Sequence, residues 1–233
     1  MVTHKERSFN KVPFQSHIMC LYFMNLKVNK KTALIKQRLN KPLPAWDSQK
    51  KMSVVKVNKF VRLAFNPPPN AKLAAVAIIL FPIDDDIRFF LTQRTSNVDH
   101  HKSQVSLPGG AQDQGESLSE TSLRESKEEI GINNNLEFIG NLTPLYTPVS
   151  DFLIHPYVWY TPSKPKTVLN KDEVSDIYTI SCNELMHQQT LGTIPKQFRG
   201  ISYDAPCFQF IQCNCWGATA MILSEFKDCL LEI

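Results

Sequence analysis

The longest uninterrupted apolar run, Leu73 to Phe81 (LAAVAIILF), has the length of a strand and no polar alternation. That pattern predicts a strand buried on both faces. Asp84 to Asp86 marks a turn, and Ile87 to Gln93 reads as the returning strand of a hairpin. Leu136 to Tyr146, Phe152 to Tyr160 and Ile177 to Ile180 follow as further strands, the last at a sheet edge. Cys182 to Gln188 predicts a short helix with Ser181 or Asn183 near its cap. Phe198 to Tyr203 and Cys207 to Ile211 suggest a hairpin around Asp204-Ala-Pro206. Met221, Ile222, Phe226, Cys229 and Leu230 recur at helical spacing, so a final helix from Trp216 to about Leu231 should pack on the sheet. Towards the N-terminus, Thr32 to Leu39 predicts one short basic helix, capped by Thr32 and stopped by Pro42 and Pro44.

Between the first hairpin and the later strands lies Gly110 to Ile132, GAQDQGESLSETSLRESKEEIGI. At about 100° per residue, Glu125, Glu128 and Glu129 fall within roughly a 100° arc, and Leu123, Ser126 and Ile130 lie opposite. One face is therefore anionic and the other faces a core. Three carboxylates on one face repel each other unless one takes a proton or a cation sits among them. A hard divalent ion with oxygen ligands, Mg²⁺ or Mn²⁺, suits such a set. A solvated acidic face is the ordinary alternative.

Composition narrows the class. The 233 residues suffice for one domain with a sizeable core and an extension, and no apolar run approaches the ~20 residues of a membrane-spanning helix. The net charge of +4 is uneven: residues 1–51 carry eleven Lys/Arg against Glu6 and Asp47, and the remainder is acidic. We therefore divide the chain into a basic N-terminal extension, 1–51, and a body, 52–233, with Phe65-Asn-Pro-Pro-Pro-Asn70 as punctuation between them. The lysines are scattered, so no nucleic-acid partner is expected. Met24 reads as the natural start, with residues 1–23 an upstream or disordered extension. The six cysteines include no C-x-x-C pair, which argues against a zinc site and for reduced thiols in a cytoplasmic protein. Oligomeric state is open, a homodimer included.

The spacing of Gly110, Glu116, Arg124, Glu125, Glu128, Glu129, Gly131 and Ile132 resembles the Nudix box, G-x5-E-x7-R-E-U-x-E-E-x-G-U with U aliphatic. Ser126 departs from the aliphatic position, a packing adjustment between Leu123 and Ile130. The resemblance implies the Nudix fold, an α/β/α sandwich with a mixed β-sheet. It also implies a divalent cation, Mg²⁺ or Mn²⁺, held by Glu125, Glu128 and Glu129. Glu128, with Glu125, is the expected catalytic pair, and Glu128 the expected base; Glu173 is the alternative base. Glu116 and Arg124 are read as scaffold, and Gly131 as the helix C-cap.

A second resemblance surrounds the box and extends over roughly residues 52–220. Leu91, Thr92, Arg94, Pro108, Gly109 and Gly110 match the segment that precedes the box in coenzyme A pyrophosphatases, a Nudix subfamily. TPVSDFLIHP, Asn170-Lys-Asp-Glu-Val174 and WGATA resemble the same subfamily after the box. Phe90, Thr95 and Leu107 are mild changes, whereas Asp99 replaces an arginine and Ser103 a glycine. Asp99 offers none of the planar donors with which arginine binds phosphate. Adjacent His100, His101 and Lys102 can supply positive charge instead. The resemblance implies substrate binding by Arg94, Gly109 and Gly110, and hydrolysis of coenzyme A to phosphopantetheine and adenosine 3′,5′-bisphosphate. Two alternatives remain: another Nudix specificity, such as ADP-ribose or a nucleotide sugar, and a non-catalytic nucleotide-binding module.

Overall fold

The structure is a computed structural model that describes residues 14–54, 65–95, 104–133, 135–198 and 200–233. Asp99, Ser103 and the basic group His100 to Lys102 lie outside the described residues.

Strand β1 (Lys72–Ile83) is the centre of the sheet. It pairs antiparallel with β2 (Asp86–Arg94) through the turn at Asp84, where φ is 56°. It pairs antiparallel with the short strand β4 (Gly109–Ala111) and parallel with β7 (Phe152–Tyr160). Between these lie β3 (Val105–Ser106), which pairs with β2, and the strands β5 (Glu137–Asn141) and β6 (Leu145–Thr147), both paired with β7. The single strand expected over Leu136–Tyr146 is thus two strands. The sheet edge beyond β2 is β8 (Val174–Ser181), longer at both ends than expected.

The apolar run of β1 faces two ways, as its period of two requires. Ala77, Ile79 and Phe81 pack with Phe90, Ile130, Ile132 and Trp159. Ile78 and Leu80 pack on the other side with Phe89, Leu91, Leu223 and Phe226. The first side is covered by the helix Leu118–Ile130, and the second by the helices Phe14–Leu39 and Gly217–Leu231. A mixed sheet between helical layers is the α/β architecture expected from the sequence.

The N-terminal helix α1 (Phe14–Leu39) is longer than the Thr32–Leu39 segment expected, and Met24 lies inside it. Thr32 is an interior residue, not a cap: its hydroxyl donates to the Val28 carbonyl at 3.0 Å. Val28, Ile35 and Leu39 are buried in the same core as the sheet. Gly140 on β5 permits this contact, since a Cβ there would lie 2.7 Å from Leu39 Cβ.

A short helix, α2 (Trp46–Gln49), follows the prolines. The box helix is α3 (Leu118–Ile130), the short helix after β8 is α4 (Cys182–Met186) capped by Ser181, and the last helix is α5 (Gly217–Leu231). Glu225 of α5 is fully buried and accepts hydrogen bonds from Ala45 N, Gln49 Nε2, Thr143 N and Thr143 Oγ1. The segment around α2, the loop before β6 and α5 are thereby tied at one carboxylate.

A second sheet contains β9 (Leu191–Phe198), β10 (Ile201–Gln209) and β11 (Asn214–Trp216). Its hairpin turns between Phe198 and Ile201, and Asp204-Ala-Pro206 sits within β10 opposite Thr193 to Pro195. The turn thus precedes Ile201 and not Cys207, because Pro206 is accommodated inside a strand.

Candidate active site

Helix α3 begins at a capping box. Ser117 Oγ accepts from Glu120 N at 3.3 Å, and Glu120 Oε2 accepts from Ser117 N at 2.7 Å. The helix ends at Gly131, whose φ of 69° is the left-handed cap conformation. Ser126 is buried and donates to the Ser122 carbonyl at 2.6 Å, while Ser122 Oγ accepts from Trp159 Nε1 at 3.1 Å. Small hydroxylated residues thus let the core-facing side of α3 lie close to the sheet.

Arg124 organises the approach to the helix. Its guanidinium donates to Glu116 from Nε and Nη2, at 3.1 and 2.9 Å, and to the Ala111 carbonyl at 3.0 Å. It also donates to Glu125 at 2.8 Å and Glu128 at 2.9 Å. Glu116 accepts further from Asp113 N and Thr121 Oγ1, each at 2.8 Å. The Arg124 hydrogen bonds hold the Glu116 carboxyl down at about 2. Glu116 and Arg124 therefore clamp the loop 111–117 to the helix, consistent with a scaffold role.

The three remaining carboxylates differ in burial. Glu129 is buried, and its Oε2 faces Gly109 N at 3.4 Å while Oε1 lies 3.6 Å from Arg94 Nη1. Burial pushes its pKa up to about 8, against the partial opposition of Arg94. Glu125 lies against Gly110: a Cβ on that glycine would be 2.5 Å from Oε1. Its pKa is raised, first by burial, and the Arg124 guanidinium opposes that shift. Glu128 is half-exposed and turned to Arg124. Glu129 and Glu125 lie against the glycine backbone of β4, and Glu128, more exposed, shares the Arg124 Nη1 donor with Glu125. Among the described residues no group of three His, Cys, Asp or Glu forms a ready metal cage.

Glu173, raised in the sequence as an alternative base, is brought to this place. Its negative charge adds to the raised pKa values of both Glu125 and Glu129. Its loop is joined to α3 and to β2 by backbone hydrogen bonds, Asn170 N to Glu129 O and Thr95 N to Glu173 O, both at 3.0 Å. Arg94, Gly109 and Gly110 adjoin the same carboxylates. The only signal for Glu173 in the sequence was its local resemblance, since 44 residues separate it from Glu129. A cavity of about 460 Å³ opens elsewhere, between α3 and the segment after it, lined by Leu123, Lys127, Ile132 and Leu136 among others; neither Glu125 nor Glu129 lines it.

The oxygen donors of Glu125 and Glu129, both with raised proton affinity and both against the backbone of Gly109 and Gly110, fit a hard divalent cation. The description of the NUDIX domain matches residues 72–198. The chain belongs to the Nudix family. It is 32% identical over 163 residues to "Nudix hydrolase 3" of Caenorhabditis elegans, covering 68% of this chain and 67% of that protein. It is 30% identical over 181 residues to the Nudix hydrolase NudL of Photorhabdus laumondii subsp. laumondii, covering 74% and 94%. A solved Nudix hydrolase from M. smegmatis, RenU, superimposes with a TM-score of 0.47 at 12% identity, covering 70% of this chain and 88% of that one. In this Nudix chain the match begins at β1 and ends with β9, so it contains all the carboxylates of the site.

Proposed function

We propose that this Nudix hydrolase cleaves the diphosphate of a nucleoside-linked substrate with Mg²⁺ or Mn²⁺, and that coenzyme A and its derivatives are the preferred substrates. The products are then phosphopantetheine and adenosine 3′,5′-bisphosphate. The observation that supports the chemistry is the proximity of Glu125, Glu129 and Glu173, with Glu129 against Gly109, Glu125 against Gly110 and Arg94 at the margin.

When bound, the cation neutralises diphosphate oxygens and makes water easier to deprotonate. Glu125 and Glu129 are suited to hold it because burial disfavours their bare anions, so that a cation taking the place of the proton relieves both. Glu128, the most exposed of the three box carboxylates, is suited to take a proton from the attacking water, with Glu173 as the alternative. Arg94 has the planar donors to meet a phosphate, and its ion pair with Glu129 is long enough, at 3.6 Å, to be exchanged for one. The subfamily reading rests on the matches around Arg94 and on TPVSDF and WGATA.

A second specificity, ADP-ribose or a nucleotide sugar, is favoured by one sequence fact, the Asp99 and Ser103 departures. The non-catalytic reading is disfavoured by retention of all three box carboxylates. The test is direct: incubate the purified full chain with Mg²⁺ or Mn²⁺ and, separately, coenzyme A, ADP-ribose and a nucleotide sugar, then resolve the products chromatographically. Coenzyme A turnover is expected. ADP-ribose turnover far above it would overturn the specificity, and no turnover of any of the three would overturn the reading as an enzyme. The free, mostly buried cysteines among the described residues support assignment to the reducing cytoplasm.

A further inference from the structure

The segment from Val168 to Val174 passes over the C-terminal end of α3. Val168 N donates to the Ile130 carbonyl at 2.9 Å and Asn170 N to the Glu129 carbonyl at 3.0 Å. Both carbonyls belong to the last turn, where a helix has no partners of its own. Asn170 then turns the chain. Its carbonyl accepts from Glu173 N at 3.1 Å and Val174 N at 2.8 Å, and its Oδ1 accepts from Asp172 N at 3.2 Å. Its Nδ2 donates to Glu173 Oε1 at 3.2 Å. On the far side of the turn, Thr95 Oγ1 donates to the Asp172 carbonyl at 3.1 Å. One asparagine is therefore bonded to the backbone of one site carboxylate residue and to the side chain of another.

We propose that Asn170 is a positioning residue, which holds the Glu173 carboxylate beside Glu125 and Glu129 while its backbone locks that loop to the box helix. The inference rests on the hydrolytic reading above. Left to itself, Glu173 is repelled by Glu125 and Glu129 and gains by turning to water. The Asn170 amide opposes this with a donor, and its orientation is set because Oδ1 is engaged by Asp172 N. Serine lacks the reach, and aspartate keeps the acceptor but replaces the donor with a like charge.

That difference separates positioning from simple turn formation. Asn170→Asp retains the acceptor for Asp172 N, and Asn170→Ala loses both functions. In the full chain, with Mn²⁺ and the substrate the wild type turns over, kcat of Asn170→Asp is expected to fall at least ~30-fold, with KM changed less than ~3-fold and little change in melting temperature. In a Glu173→Gln background the same substitution should change kcat less than ~3-fold, because the pair it disrupts is gone. Wild-type kcat in Asn170→Asp alongside a damaged Asn170→Ala would overturn the proposal in favour of a turn role. An undiminished effect in the Glu173→Gln background would overturn it as well. If the wild type turns over none of the substrates, the hydrolytic reading fails separately, and Mn²⁺ titration followed by electron paramagnetic resonance decides the positioning. There, Asn170→Ala is expected to raise the Mn²⁺ Kd at least ~3-fold, and an unchanged Kd overturns the proposal.

Discussion

The Cα of Gly110 faces the carboxylate of Glu125 so closely that a methyl group there would stand 2.5 Å from Oε1. The obstacle is the end of a flexible side chain, so Gly110→Ala displaces Glu125 more readily than it unfolds the protein. We expect a stability loss below ~1 kcal/mol and a kcat loss of at least ~10-fold. At Gly109 the obstacle is the Ala75 carbonyl, 2.3 Å from the added Cβ, and backbone cannot swing away. Gly109→Ala is therefore expected to cost about 1–3 kcal/mol in denaturant unfolding. Equal stability of the two variants would count against this distinction.

Glu128 is the most solvent-open box carboxylate and is bonded to Arg124 at 2.9 Å. Glu128→Gln keeps the side-chain length and an acceptor for Arg124 but cannot take a proton. Its kcat should fall at least ~100-fold with no loss of melting temperature. Wild-type turnover would remove Glu128 from the chemistry and leave Glu173 as the base.

The clamp of Arg124 on Glu116 holds that carboxyl at about 2, below its ordinary 4.5. A depressed carboxyl stabilises the fold above its unfolded value, and the contribution disappears as pH falls from about 4.5 through about 2. Glu116→Gln should thus lower stability at neutral pH and flatten its decline across that acid window, as read by thermal melts at successive pH values. An unchanged acid slope would sink the assignment.

Glu129 has the opposite sign. Its carboxyl is raised to about 8, so its contribution is complete below about 4.5 and is lost as pH rises through about 8. In EDTA the protein should lose up to roughly 1.4 kcal/mol of stability per pH unit across this range from Glu129. Glu125, also raised, works in the same direction. Glu129→Gln should remove much of the slope. Mn²⁺ should bind more tightly as pH rises, because it displaces the proton. A metal affinity independent of pH between 6 and about 8 would contradict the raised value.

Away from the site, Glu225→Ala leaves the donors of Ala45, Gln49 and Thr143 without their common acceptor. A loss of about 3–5 kcal/mol is expected in urea unfolding, and Glu225→Gln should lose less because it keeps one carbonyl. A neutral Glu225→Ala would mean that water replaces the carboxylate.

The pattern of the chain alone determined the central strand, the box helix and its register. An apolar run of strand length, glycines at both ends of an acidic helix, and serine opposite the carboxylates are local facts with local physical consequences. Two-faced burial from Ala74 to Phe81, with Leu73 left exposed, and the left-handed cap at Gly131 followed from them. Tertiary structure decided what local pattern does not contain. Helical geometry places Glu125, Glu128 and Glu129 on one arc, but the approach of β4 buries Glu129, presses Gly110 onto Glu125 and leaves Glu128 with Arg124. It also brings Glu173 to the same charges through hydrogen bonds between distant backbone groups. The partners of a carboxylate set both its pKa and its direction, and here those partners come from segments that meet only when the sheet closes.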